Sequence, residues 1–263
     1  MLLVDVGNSA VAVAIWRPVG AAVGGVADTR GLDVELLATH PLPADRDGRR
    51  HLAEEIASRQ RQLELGRAAV ASVVPQLGDY LQDALSGAWG VDHRAVFPFG
   101  LGVSDPAAVG ADRYCNVAAA AGTGWPSALV VDAGTATTFD VLSEGVFVGG
   151  LIAPGIRLAA DALGGRAARL SRVAPAPAPA VPAPDTIGAM AAGAYLTGVH
   201  GIAGTIGALL AACGARPVVL TGGLAPLLLA EQAALAGRAS WHHDRLWTLR
   251  GLALLASLNR DRA

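Results

Sequence analysis

Two stretches of this chain follow one plan. Residues 2–15 read LLVDVGNSAVAVAI and residues 129–142 read LVVDAGTATTFDVL. Each is an apolar run that reaches Asp-x-Gly, passes through small or hydroxyl residues, and enters a second apolar run. Short apolar runs bounded by glycine turns read as buried strands, so each stretch predicts a tight strand–turn–strand unit. A chain that writes such a unit twice, each time followed by helices and a further strand, is expected to be a duplicated α/β fold with a cleft between its halves. The plainer alternative is two unrelated turns that share Asp and Gly, both favoured turn formers. The matched apolar runs, and a later TGG at 221–223, weigh against it.

The remaining pattern fits this scheme. Helices are expected at 49–65, 77–88 and 112–121, and a strand at 68–74 that ends before Pro75. In the second half, strands are expected at 128–132, 137–142 and 145–155, a helix at 156–170, a long apolar helix at 187–212, a strand at 217–223, and two further helices. Residues 174–184 read APAPAPAVPAP, where repeated proline removes amide donors and fixes φ, so they are read as a semi-rigid surface loop. The division expected is 1–117 for the N-terminal half and 118–263 for the C-terminal half.

A net charge of −2 argues against a nucleic-acid or membrane surface. All 20 basic residues are arginine, which removes lysine from any catalytic scheme. Cys115 and Cys213 lie in alanine-rich contexts without metal-ligand spacing and read as core thiols. The first apolar run carries Asp5 and has no basic flank, so it is not read as a secretory signal. No apolar stretch free of Gly and Pro reaches the roughly 20 residues of a spanning helix. The expectation is a soluble cytoplasmic protein.

Glycine turns between strands expose backbone amides and let a phosphate approach closely. In DVGNS (5–9) and DAGTATT (132–138), the hydroxyls of Ser9 and Thr135 add donors. An aspartate beside phosphate is reasonable only if a cation lies between them, or if it orients a water or hydroxyl. Both turns therefore read as a phosphate clamp, and TGGL (221–224) as a turn that lets adenine or ribose approach the backbone. VGADR (109–113) allows two readings. Asp112 and Arg113 are either a helix N-terminus with a solvated arginine, or a base for a substrate hydroxyl beside a ligand for a substrate anion.

With DVGNS at 5–9, ASVVP at 71–75, PFGL at 98–101, GADRYCN at 110–116, VVDAGTATTFDV at 130–141, GGLIAPGIRL at 149–158, DT at 185–186 and TGGLAP at 221–226, the chain resembles the type III pantothenate kinases. These belong to the actin/hexokinase/Hsp70-like superfamily. The resemblance implies a duplicated actin-like, ribonuclease H-like ATPase fold of two domains with an interdomain cleft, the second carrying dimerisation helices. It implies ATP-dependent phosphorylation of pantothenate to 4′-phosphopantothenate, which opens coenzyme A synthesis, in a cytoplasmic homodimer. Asp5, Gly7, Asn8, Ser9, Thr135, Gly222 and Gly223 would then face ATP. Gly110, Ala111, Asp112, Arg113 and Thr186 would face pantothenate, with Asp112 the proton acceptor. Asp132 would hold a monovalent cation, potassium or ammonium, and magnesium would accompany ATP.

Three departures from the family pattern stand out. Positions 10–13 are alanine and valine, where side-chain donors are common; position 103 is Val103, where tyrosine is common; and IGAM follows Thr186, where a glutamate is common. Loss of a hydrogen bond to a charged group typically costs about 1.5–3 kcal/mol, so weakened ATP affinity is expected. A non-catalytic binding or regulatory protein of the Bvg accessory factor type is the alternative. Retention of Asp5, Asp112, Arg113, Asp132 and Thr135 favours the kinase.

Overall fold

In the computed structural model of this chain the first repeat is a hairpin, β1 (Leu2–Val6) and β2 (Ala10–Arg17), paired antiparallel with Val6 opposite Val11. The Gly7 N–H closes its turn on the Ala10 carbonyl at 2.9 Å. The structure describes residues 1–17, 32–166, 174–176, 181–214, 216–230 and 240–260. Strand β3 (Asp33–Pro41) pairs antiparallel with β2. Helix α1 (Arg46–Gln62) follows, its first turn capped by Asp45 Oδ1, which accepts from the Gly48 N–H at 2.7 Å. Strand β4 (Ala68–Ser72) lies parallel to β1. Helix α2 (Pro75–Ala84) opens on a proline, where a missing N–H costs nothing, and leads to β5 (Ala88–Gly90). The sheet order is β3-β2-β1-β4-β5.

Alternation along β1 assigns its two faces. Leu2, Val4 and Val6 join a core with Leu52 and Ile56 of α1 and Leu77 and Leu81 of α2. Leu3 and Asp5 therefore face the opposite side. Near that side run α3 (Ala111–Gly122) and the last helix of the chain.

The second sheet comprises β6 (Gly100–Leu101), β7 (Ala128–Ala133), β8 (Ala136–Ser143), β9 (Val146–Pro154), β10 (Val218–Thr221) and β11 (Trp241–His243). Its order is β11-β10-β7-β8-β9-β6. Apart from β6, this repeats the first sheet: β7 to β11 take the places of β1 to β5. The equivalence extends to single residues, since Asp5 pairs in register with Ala71 and Asp132 with Thr221. The helices of this half are α4 (Ile156–Arg166), α5 (Thr186–Cys213) and α6 (Ala225–Ala230), and α7 (Trp247–Leu258) ends the described chain.

By contact, the chain divides into two compact units. One takes Met1–Ala128, Asp140–Gly149 and Arg245–Ala263; the other takes Leu129–Phe139 and Gly150–Asp244. Helix α7 belongs to the first unit although it follows the whole of the second in the chain. A Cβ on Gly251 would lie 1.8 Å from the Cys115 carbonyl oxygen, so α7 meets α3 backbone to backbone. Trp247 Nε1 donates to the Asn116 carbonyl at 3.0 Å, and Thr248 Oγ1 to Asn116 Oδ1 at 2.9 Å.

The long apolar helix expected at 187–212 is α5, and Gly188, Gly193, Gly198, Gly201, Gly204 and Gly207 all lie inside it. Its most apolar window has mean hydropathy 1.6 and is 17% buried, so by length and composition this helix could cross a membrane. The reason is that an internal glycine costs a helix only about 0.5–1 kcal/mol. Cys213 is exposed rather than in the core, because it sits in the last turn of that helix, whereas Cys115 is buried. The helix expected at 156–170 is described as far as Arg166, and of the proline-rich loop only 174–176 and 181–184 fall among the described residues.

Candidate active site

In the first unit, the end of β1, the β4–α2 junction and the start of α3 come together. The Val73 N–H donates to the Val6 carbonyl at 3.0 Å, and Val73 Cγ1 lies 3.4 Å from where a Cβ on Gly110 would sit. Gly7 and the exposed Asn8 and Ser9 form the turn beyond Asp5. Asp5 and Asp112 are both close enough for their charges to reinforce the burial that holds the Cys115 thiol neutral. That thiol is fully buried and far from its ordinary acidity, which removes it as a nucleophile.

Gly110 caps α3 with extended backbone, and buried Ala111 leads into Asp112 in the first turn. The helix N-terminus anticipated for VGADR is therefore present. Asp112 is nevertheless no surface capping residue. Burial pushes its carboxyl above the usual aspartate range, against the opposing pull of the Arg113 N–H and charge. Its Oδ1 accepts from the Arg113 backbone N–H at 2.8 Å.

The solvated arginine of the plainer reading is overturned. Arg113 Nε donates to Asp140 Oδ1 at 2.6 Å, with the arginine side chain 14% and the aspartate 0% exposed. The guanidinium carbon stands 5.6 Å from the centroid of the Phe147 ring, a cation–π distance. Arg113 Nη2 is buried and has no hydrogen-bond partner among the described residues. Asp140 went unremarked in the sequence because it occupies an alternating position of an apolar strand.

In the second unit three glycine turns converge on β7. Gly155, which ends GLIAPG, approaches the DAGT turn so closely that a Cβ would lie 2.3 Å from the Gly134 oxygen and 2.4 Å from the Thr135 oxygen. Its N–H donates to the Thr135 carbonyl at 3.0 Å. Gly222 has φ +87° and would place a Cβ 2.4 Å from Asp132 Oδ1 and 2.6 Å from the Ala133 oxygen. The Leu224 N–H completes this contact on Ala133 O at 2.9 Å. Gly222 is thus required by the protein's own backbone and by Asp132. Gly223 has no atom within 4 Å of the corresponding position and keeps its face open. Thr186 is the exposed first residue of α5, directly after the cap Asp185, whose Oδ1 accepts from the Gly188 N–H at 2.8 Å.

Asp132 Oδ1 and the Ala133 carbonyl oxygen both stand beside Gly222. No group of three or more His, Cys, Asp or Glu side chains able to hold a metal occurs among the described residues. A single carboxylate with neutral oxygens suits a weakly charged hard cation better than a transition metal. The open amides and absent side chains of the glycine turns suit a phosphate chain.

A family model described as type III pantothenate kinase matches residues 1–208. A protein of that name from Acidiphilium cryptum is 43% identical over 164 residues, 61% of this chain and 59% of its own length. One from Roseiflexus sp. is 37% identical over 205 residues, 75% of this chain and 78% of its own. The chain thus spans about three fifths of the first relative's length and more than three quarters of the second's. Among solved structures, a conserved putative Baf family transcriptional activator from Campylobacter jejuni superposes with TM-score 0.56 at 20% identity, covering 99% of this chain and all of that one. A ROK family glucokinase from Streptomyces griseus, in complex with glucose and AMPPNP, gives 0.52 at 12% identity and covers 99% of this chain. At such identities the likeness concerns the fold alone, which is the two-domain actin-like α/β fold that the family resemblance implies.

Proposed function

The chain belongs to the type III pantothenate kinase family, and from that premise we propose that it phosphorylates the primary hydroxyl of pantothenate at the expense of ATP, yielding 4′-phosphopantothenate. The observation that carries the reading is Asp112, a partly buried carboxylate of raised pKa in the first turn of α3 beside an arginine with an unused buried donor. ATP supplies the transferable phosphoryl group. Everything else falls to this chain's own residues, because phosphoryl transfer depends mainly on positioning and charge neutralisation.

Asp112 orients the hydroxyl and receives its proton as the bond to phosphorus forms. A carboxyl whose acidity is weakened by burial is a better acceptor than an ordinary aspartate, and such a base contributes about 10²–10⁴-fold. Arg113 binds the carboxylate of pantothenate through its terminal N–H groups, while Gly110 and Ala111 line the same substrate. In the first unit the turn of Gly7, Asn8 and Ser9 suits phosphate, with Asp5 disposed toward the magnesium that accompanies ATP; in the second unit, described by itself, Thr135, Gly222 and Gly223 form a nucleotide-binding surface. Asp132 holds potassium or ammonium.

We further propose a cytoplasmic homodimer. In the second unit Leu151, Ile152, Leu158 and Leu163 are 46%, 65%, 45% and 47% exposed, and α5 leaves most of its apolar window uncovered. A second copy of the chain would bury these faces, which are larger than isolated surface leucines explain.

The test is ATP-dependent phosphorylation of pantothenate by the purified protein, followed with and without potassium. Product formed only with the cation present supports the kinase and the role of Asp132. Absence of product under any monovalent cation overturns it.

A further inference from the structure

We propose that Asp140 is a positioning residue for substrate recognition: it grips Arg113 by Nε alone, and so presents the remaining guanidinium N–H groups to the carboxylate of the substrate. The proposal rests on the reading of Arg113 as the ligand for that carboxylate.

Three observations carry it. First, the pair is monodentate on the inner edge of the arginine. Asp140 Oδ1 takes Nε–H at 2.6 Å, and Nη2 is left buried without a partner among the described residues. A buried charged donor with no acceptor is expensive to keep, and native folds retain one chiefly where something else supplies the acceptor. Second, the guanidinium is held in two directions. The fully buried Asp140 fixes its Nε edge, and the Phe147 ring lies against its face at 5.6 Å. A long, flexible side chain is thereby pre-organised, and little further freedom is lost when a ligand binds. Third, Arg113 is bonded through its own backbone N–H to the carboxylate of Asp112. The group that recognises the acid end of a substrate and the base that serves its hydroxyl end are therefore consecutive residues of one helical turn.

This makes Asp140 a determinant of specificity. An arginine without it could still attract an anion, but it would not hold its donors in one orientation. The consequence is selectivity for a carboxylate over an uncharged group at the same place in the substrate.

The experiment compares two acceptors, pantothenate and pantothenol, in which a hydroxymethyl group replaces the carboxylate. Wild type, Asp140→Ala and Asp140→Asn are assayed with each acceptor, and KM for ATP is measured alongside. The expected result is that Asp140→Ala loses about tenfold or more of kcat/KM for pantothenate, mostly through KM, as removal of a charge-assisted contact should. Its kcat/KM for pantothenol and its KM for ATP stay near wild type. Asp140→Asn, which keeps an acceptor oxygen for Nε, recovers part of the preference. If Asp140→Ala does not fold, Arg113→Met and Arg113→Met/Asp140→Asn, which removes both buried charges, are compared instead; identical discrimination in the two supports action through Arg113.

Equal loss on both acceptors, or additive effects of the Arg113 and Asp140 changes, would overturn the proposal while leaving the kinase reading in place. A wild-type protein that neither turns over nor binds pantothenate overturns both.

Discussion

The space that a side chain on Gly110 would fill is taken by the carboxylate of Asp112. A Cβ at position 110 would lie 2.5 Å from Asp112 Oδ1, the same oxygen that receives the Arg113 N–H at 2.8 Å. Gly110→Ala should therefore cost helix α3 about 1 kcal/mol or less at its cap, yet push Asp112 off its position. Misplacement by an ångström commonly costs about 10²-fold in rate. We expect kcat to fall by that order while the melting temperature changes little; a variant with wild-type kcat would show that Asp112 is not held where it acts.

Asp112→Asn separates catalysis from stability. Because burial raises the carboxyl's pKa in the folded chain, folding favours its neutral form. Its contribution to stability is thus complete below the unfolded pKa and is lost as pH rises through the folded value. Asparagine keeps the oxygen that accepts from Arg113 and carries no charge. We expect Asp112→Asn to melt higher than wild type at neutral pH, with the gap closing in acid, and to have lost turnover by about 10²–10⁴-fold. Melting curves across pH that keep the same gap throughout would contradict the burial argument.

Gly222 and Gly223 are neighbours with different duties. Gly222→Ala forces a left-handed backbone on an L-residue, worth about 1–3 kcal/mol, and drives a methyl into Asp132 Oδ1 at 2.4 Å. It should lower the melting temperature and raise the potassium concentration needed for half-maximal activation. Gly223→Ala meets open space and should melt like wild type while raising KM for ATP. If the two variants proved alike in melting temperature, the assignment of a packing duty to Gly222 and none to Gly223 would be wrong.

How much could be read beforehand followed how local each signal was. The hairpins at 2–15 and 129–142 were legible because alternation and turn chemistry lie within a few residues, and α3 was legible because Asp112 opens an alanine-rich helix. Strand β3 was not, since DVELLATHP is half-exposed and alternates weakly, and β5 and β11 are only three residues each. Asp140 lay hidden inside an apolar strand because its partner is 27 positions earlier in the chain. The third glycine turn was legible, but a packing duty within it was not: Gly222 makes room for Asp132 and Ala133, a contact that the parallel pairing of β10 with β7 creates. Gly251 carries no signal of its own in the sequence, and it lets α7 touch the backbone at Cys115.

That last contact bears on how the molecule is made. The first compact unit includes Arg245–Ala263, so its interior is closed by a stretch translated after the whole of the second unit. A ribosome delivers the sheet, α1, α2 and α3 long before it releases α7. Until then Cys115, Asn116 and the apolar face of α3 have no cover from that helix. A domain generally folds as a unit during synthesis; this one cannot close until the second unit has been made.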